Sequence, residues 1–189
     1  MLKKLFFLFF VCLLHSQQSN AIGLSNLLTA EITNQTTEES SKTFIIDIHC
    51  SNINEIAGVQ FELPENINLL DVKEVRTKDL NFEFHHNSKG LILGFSMSGE
   101  TIPPSPNAMN KNVSNAYGPN ITNYEGNIIC SIKIEYIPPE GKYEGQIHCP
   151  IKSILASPKG ERLPFTSIES KISLSKYDNP RQIKVSFYE

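Results

Sequence analysis

The stretch that decides the fold is IAGVQFELP, residues 56–64. Every second side chain in it is apolar: Ala57, Val59, Phe61 and Leu63. The residues between them are small or polar: Gly58, Gln60 and Glu62. Successive side chains of a strand point to opposite faces of a sheet, so this alternation predicts a strand that buries one side and presents the other outward.

The same period of two recurs along the chain, at 44–50, 82–85, 91–97 and 130–136. In 91–97 the larger apolar set is Leu91, Leu93, Phe95 and Met97, which is predicted to face inward. Further strands are predicted at 23–33, 67–74, 143–150 and 167–175. No segment carries a sustained helical stripe, so we predict an all-β, two-sheet antiparallel sandwich of about nine strands.

The first residues have the pattern of a leader rather than of a folded segment. Lys3 and Lys4 precede the apolar run 5–14, and a short polar stretch ends in Ala21. Ten apolar residues are too few to cross a bilayer, which takes roughly 20. We interpret 1–21 as a secretory signal peptide and expect an extracellular protein without a membrane span, the alternative being an uncleaved anchor.

Charge and composition exclude several classes of function. Without Lys3 and Lys4, 15 basic side chains remain against 20 acidic ones. No basic stripe is present, which argues against nucleic acid as a partner. His and Cys are adjacent in His49-Cys50 and His148-Cys149, and alternation sends such neighbours to opposite faces, so we expect no metal site and no cofactor.

Three polar segments interrupt the strand pattern. Residues 103–125 are rich in Asn, Pro and Ser and predict a long exposed loop, and 34–42 predicts a shorter one. Asn34, Asn112 and Asn120 begin glycosylation tripeptides, which need an exposed position. The end, 176–189, is polar and then strand-like, and it is interpreted as either a last strand or a tail.

Four segments carry a resemblance to a known family: FIIDIHCSNINEIAGVQFELPENINLLDVKEV (44–75), KGLILGFSMSGETIPP (89–104), GNIICSIKIEY (126–136) and ILASPKGERLPF (154–165). In this order they resemble the cohesin module of cellulosome scaffoldins, over about residues 23–175. The resemblance implies one jelly-roll domain over 22–175, with strand orders 8-3-6-5 and 4-7-2-1-9. The chain departs from the family pattern at 105–125, where some twenty residues intervene.

Cohesins of this kind bind a dockerin through the outer face of the 8-3-6-5 sheet, so the resemblance implies a secreted, non-catalytic protein-binding module. The residues then predicted to face a partner are Gly58, Gln60, Glu62, Glu83, His85, Ile92, Gly94 and Ser96. The alternative is a carbohydrate-binding module that acts in polysaccharide breakdown, with Tyr117 and Tyr124 as its aromatic side chains. An open sheet excludes no water from a pair of acids, so we do not expect an enzyme.

The topology that the resemblance implies also bears on the cysteines. Cys50, Cys130 and Cys149 all fall on core-facing positions. With strands two and seven as antiparallel neighbours, Cys50 and Cys130 come close enough to be a candidate disulfide. Cys149 on the facing sheet is a competing partner, and three packed free thiols are the other alternative.

Overall fold

The computed structural model describes residues 26–35, 43–105, 127–136, 146–174 and 181–189. The predicted signal peptide at 1–21 lies outside these residues. So do 106–125 of the predicted long loop, with Asn112, Tyr117, Asn120 and Tyr124. In the described part of the chain no helix is long and apolar enough to span a membrane.

Twelve strands and one short 3-10 helix (Lys78–Leu80) form the described structure. The strands are β1 (Asn26–Gln35), β2 (Thr43–Ser51), β3 (Gly58–Glu62), β4 (Ile67–Glu74), β5 (Glu83–His86), β6 (Leu91–Phe95), β7 (Ile128–Tyr136), β8 (Gln146–Ala156), β9 (Arg162–Leu163), β10 (Phe165–Ser167), β11 (Ser170–Leu174) and β12 (Arg181–Tyr188).

The strand count corrects the expected number of about nine. The strand predicted at 167–175 is β11, and the additional strand β10 precedes it in the other sheet. A two-residue strand, β9, folds back on the end of β8 after a turn at Gly160, which has a positive φ of 77°. The last residues, left open as strand or tail, form β12.

The strands form two packed sheets, and the predicted β-sandwich is confirmed. One sheet has the order β10-β1-β2-β7-β4, and the other has the order β11-β12-β8-β3-β6-β5 with β9 beside β8. These orders contain the expected 4-7-2-1-9 and 8-3-6-5, with β10 in the ninth place. The pairs β1–β10 and β8–β12 are parallel, and the other pairs are antiparallel.

The core lies between the sheets and is built from the alternating apolar residues of both. Phe61 of β3 has no exposed surface, and Val59 is 4% exposed. Burial of each large apolar side chain stabilises the fold by about 1.5–3 kcal/mol. The other fully buried large side chains include Leu28, Ile46, Ile48, Ile56, Phe82, Ile92, Ile102, Ile129, Ile132, Ile134 and Ile151.

β12 is an integral part of the second sheet. It pairs with β8 over seven residues and with β11 over five. Its alternate side chains Ile183, Val185 and Phe187 are 1%, 1% and 5% exposed, so they belong to the core. The backbone N–H of Phe187 also donates to Ser167 Oγ at 3.1 Å, which ties β12 to the end of β10.

The candidate disulfide between Cys50 and Cys130 is not formed in the structure. Cys130 lies opposite Ile48, and an irregularity in the pairing then places His49 opposite Ile128, so Cys50 and Cys130 are not opposite each other. Both thiols and Cys149 are free and buried. Burial raises the pKa of Cys50 and of Cys149 to about 12, and it raises the pKa of Cys130 as well. All three are therefore unreactive thiols near neutral pH.

Asn34 is also placed differently from the expected loop. Its backbone belongs to β1, opposite Ile45 of β2. The polar segment between the two strands therefore begins after Gln35 rather than at Asn34.

Candidate functional site

The candidate site is the outer face, the side of β5, β6, β3 and β8 that points away from the core. β3 runs through its middle. Gly58 lies opposite Phe95 of β6 on one side and Ala156 of β8 on the other. Gln60 lies in the same way between Leu93 and Ile154. Residues opposite each other on neighbouring strands point to the same face, so these side chains form two rows across the sheet.

Charged side chains end the row that contains Gly58. Glu83 of β5 lies opposite Phe95, and Arg162 of β9 lies opposite Ala156. Across the sheet the row therefore places an acid, an aromatic ring, a glycine, an alanine and a base in sequence. In the next row His85 lies opposite Leu93.

The middle of the outer face is apolar. We call Leu93, Phe95, Ile154 and Ala156 the apolar band. Leu93 is 36% exposed, and the other three are half-buried. Met97, just beyond β6, is 83% exposed. Single exposed apolar residues are normal on any protein surface, whereas apolar side chains that lie next to one another and remain partly exposed form a patch that a partner can cover.

The apolar band reverses the prediction for 91–97. Leu91, Leu93 and Phe95 were expected to face the core but lie on the outer face. Met97 was expected to face the core as well and is 83% exposed. Ile92 and Gly94, predicted to face a partner, are buried. The pairing with β3 is the reason, because Ile92 lies opposite Phe61 and Gly94 opposite Val59, both of which fill the core.

The remaining predicted residues have mixed positions. Gly58, Gln60, Glu62, Glu83 and His85 do lie on the outer face, with Glu62, Glu83 and His85 exposed. Ser96 follows the end of β6 and is half-buried, with its Oγ 2.9 Å from Ser98 Oγ. The sequence interpretation missed the four side chains of the apolar band and Lys152, Arg162 and Tyr188.

The polar side chains around the apolar band pair with one another or pack on its aromatic ring. Glu83 Oε2 lies 3.4 Å from His85 Nε2, and the His85 ring packs on Phe95 with centroids 5.2 Å apart. Glu62 Oε2 lies 3.6 Å from Lys152 Nζ. Exposed pairs of this kind add little to stability, about 0–1 kcal/mol each. Their contribution is to orient hydrogen-bonding groups around the apolar band.

The two glycines predicted for the outer face offer a direct test of the corrected orientation. A Cβ on Gly94 would lie 2.6–2.9 Å from side-chain atoms of Phe84, Val59 and Phe82. We expect Gly94→Ala to lower the free energy of unfolding by about 1–3 kcal/mol through overpacking. In the matched control, Gly58→Ala, the new methyl meets its nearest atoms at 3.7 Å and changes stability little.

Urea denaturation of both variants measures the difference. If Gly58→Ala costs as much as Gly94→Ala, then Gly94 does not face the core. Because Gly58 lies on the outer face, the same variant also adds a methyl group to the candidate contact surface.

A buried histidine, His49, lies on the side of β2 that points away from the core. It is 3% exposed, and neither ring nitrogen has a hydrogen-bond partner. Its Nε2 lies 3.6 Å from Oε2 of Glu31. Burial lowers the pKa of His49, while the carboxylates of Glu31 and Asp47 oppose this with smaller effect.

This lowered pKa predicts a loss of stability in acid. The unfolded chain takes up a proton at His49 as the pH falls through about 6.5, whereas the folded protein resists protonation until a lower pH. The free energy of unfolding should therefore fall below about pH 6.5. Urea denaturation at pH 7.5 and 5.5, on the protein and on His49→Gln, measures this. An unchanged pH dependence in the variant would contradict the assignment.

Comparisons with known proteins give similarities in fold. The chain matches no family model and no curated protein. Among solved structures it is similar to a non-cellulosomal cohesin from the hyperthermophilic archaeon Archaeoglobus fulgidus, with 8% identity, a TM-score of 0.41 and coverage of 87% of this chain and 92% of that one. It is similar to a cohesin module of a Clostridium perfringens family 33 glycoside hydrolase, with 12% identity, a TM-score of 0.38 and coverage of 87% and 99%.

A third similar structure is the yeast delta-COP-I mu-homology domain, with 13% identity and a TM-score of 0.28. It covers 86% of this chain and 54% of that one. At these identities and TM-scores the three structures assign no binding residue and no partner to this chain.

Proposed function

We propose that this chain is a secreted, non-catalytic binding module that holds a protein partner on its outer face, in the manner of a cohesin. The single observation that carries the proposal is the apolar band in the middle of the outer face, between Glu83 and His85 on one side and Arg162 on the other. Its side chains stand on paired strands in the middle of a sheet, so the surface is rigid and needs no ordering before it binds. Rigid apolar centres with polar surroundings are typical of protein-binding surfaces.

The shape of the outer face supports a partner that lies along β3. Phe95 and Leu93 form one ridge on β6, and Ile154 stands on β8, two strand spacings or ~9.6 Å away. Gly58 and Gln60 form the floor between them. A helix with its side chains is ~10–12 Å across, so one apolar stripe of a helix fits along this floor. We propose a dockerin-type or other secreted protein with such a helix as the partner.

The proposal is tested by capture from the secreted proteins of the organism that encodes the chain. The immobilised protein should retain a defined protein, and Leu93→Arg should reduce its retention at least tenfold, because a charge would be buried without a partner. Leu70→Arg is the matched control: Leu70 is also an exposed leucine, 45% accessible, but it lies on β4 of the other sheet.

The dissociation constant of the captured protein is then measured for the wild type and both variants. Retention that survives Leu93→Arg would show that the partner binds elsewhere. Equal loss in Leu70→Arg would show that the effect is not specific to the outer face.

Carbohydrate binding is the second candidate function, and one observation favours it. Tyr188 is 50% exposed and lies opposite Lys152, which places an aromatic side chain beside hydrogen-bonding groups on the same sheet. Aromatic faces next to polar groups suit the stacking of sugar rings. Retention on insoluble cellulose or xylan that is lost in Tyr188→Ala would favour this function over protein binding.

A further inference from the structure

The outer face is self-complementary about β3. In the row that contains Gly58, Glu83 and Arg162 each lie two strands from β3, on opposite sides. At ~4.8 Å per strand, the backbones of Glu83 and Arg162 are each ~9.6 Å from that of Gly58. Phe95 and Ala156 occupy the intermediate positions, one large and one small.

Consider a two-fold axis that runs parallel to β3, between the outer faces of two copies. Rotation about this axis places the two outer faces against each other, with the β5 side of each copy opposite the β9 side of the other. Glu83 of each copy then faces Arg162 of the other, so symmetry creates two ion pairs. Phe95 of each copy faces Ala156 of the other. The two copies of Gly58 meet at the axis, where the absence of side chains lets the two sheets approach.

The next row agrees with the same axis. Leu93 of each copy faces Ile154 of the other, and the two copies of Gln60 meet at the axis. A carboxamide both donates and accepts hydrogen bonds, so two glutamines can pair with each other. In the row beyond it the two copies of Glu62 meet at the axis, and Leu91 of each copy faces Lys152 of the other. Lys152 Nζ lies 3.6 Å from Glu62 Oε2 of its own chain and so reduces the repulsion between the two carboxylates.

We propose that two copies of this chain associate through their outer faces as a symmetric homodimer, with Glu83 and Arg162 as its reciprocal ion pairs. Five strands span ~24 Å and the five residues of β3 span ~17 Å, so the contact covers at most ~400 Å² of sheet per copy, since β5 and β9 are shorter than β3. A standard stable interface buries about 800 Å² per partner. The homodimer is therefore weak and forms at high protein concentration.

Sedimentation equilibrium over ~10 μM to ~1 mM tests the proposal, since the range spans the dissociation constants of weak complexes. The weight-average mass is expected to rise from monomer towards dimer. Glu83→Arg and Arg162→Glu should each weaken association at least tenfold, because each places like charges opposite one another. The double variant restores opposite charges and should recover the wild-type constant.

The matched control is Lys73→Glu, an exposed charge reversal on β4 of the other sheet, which should leave association unchanged. A circular dichroism melt of each variant establishes that it is folded. A wild-type mass that stays monomeric throughout would overturn the proposal, and so would a double variant that fails to recover association.

This proposal goes beyond the binding of a different protein and can fail separately from it. If the wild type remains monomeric while Leu93→Arg loses the captured protein, self-association is overturned and the proposed function stands. If the mass of the wild type rises with concentration and the double variant recovers association, the homodimer stands whatever the capture experiment yields.

Discussion

Phe187→Ala is expected to lower the free energy of unfolding by about 3–5 kcal/mol, the usual cost of truncating a buried phenylalanine. Phe187 is 5% exposed, and its ring lies with its centroid 6.3 Å from that of Phe61, tilted by 59°. The substitution leaves a cavity between β12 and β3 and removes this aromatic contact. The effect is large because β12 contributes core side chains to the sandwich.

Thermal unfolding measures the loss, since about 1 kcal/mol shifts the midpoint by about 2–4 °C in a protein of this size. Tyr188→Ala is the matched control, because the next side chain along β12 is 50% exposed. It should cost less than about 1 kcal/mol. Equal midpoints for Phe187→Ala and the wild type would mean that 181–189 is a loose tail.

Arg76→Met is expected to cost about 2–4 kcal/mol, for a reason other than packing volume. Its guanidinium donates from Nη1 to Asn52 Oδ1 at 2.9 Å, to Ser105 Oγ at 3.0 Å and to Cys50 O at 3.4 Å, and from Nη2 to Pro103 O. Asn52 and Ser105 have no exposed surface. Ser105 Oγ also lies within hydrogen-bond distance of Asn52 Oδ1 and of Cys50 O, but its single hydrogen can serve only one of them once Arg76 is gone. A buried acceptor that loses its donor in this way costs about 1–3 kcal/mol.

Urea denaturation with linear extrapolation measures this loss. Lys78→Met removes a neighbouring cation that is exposed, and it should change stability by less than about 0.5 kcal/mol. Arg76→Lys should fall between the two, since an ammonium group cannot reproduce the planar fork of donors. If Arg76→Met and Lys78→Met have the same midpoint, the buried network does not stabilise the fold.

Strand prediction succeeded where one face of a strand is apolar and the other is polar. In β3 the small and polar set, Gly58, Gln60 and Glu62, could face only outward. In β6 both faces are apolar, with the sequence LILGF. Its alternation is therefore ambiguous, and size alone assigned Leu93 and Phe95 to the core. The candidate site was predicted on the correct sheet, but its apolar centre was assigned to the interior.

The space around Gly94 shows why the tertiary structure chose the other orientation. Phe82 and Phe84 lie with ring centroids 5.8 Å apart, and both approach Gly94. Only a residue without a side chain leaves room for these two rings on the inner side of β6. The sequence contains the two phenylalanines and the glycine, but their contact does not follow from it, because β5 and β6 meet only when the strands pair.

The cysteines show the same limit in the pairing of two strands. The alternation placed Cys50, Cys130 and Cys149 in the core, and all three are buried. The structure places Ile48 opposite Cys130, in the same register that places Thr43 opposite Glu135. Because the side-chain period is two, a register shifted by two residues keeps the same side chains on each face, so the apolar pattern alone does not determine which residue lies opposite Cys130.

The amino-acid sequence by itself determined the all-β class, the core-facing side of β3 and the small and polar character of its outer side, because each follows from the period of two within one segment. Only the tertiary structure decided the apolar band, the placement of Glu83 and Arg162 at opposite ends of one row, and the incorporation of β12. These features depend on which residues lie opposite each other on strands that are distant in the chain, and that alignment is set by packing across the whole sandwich.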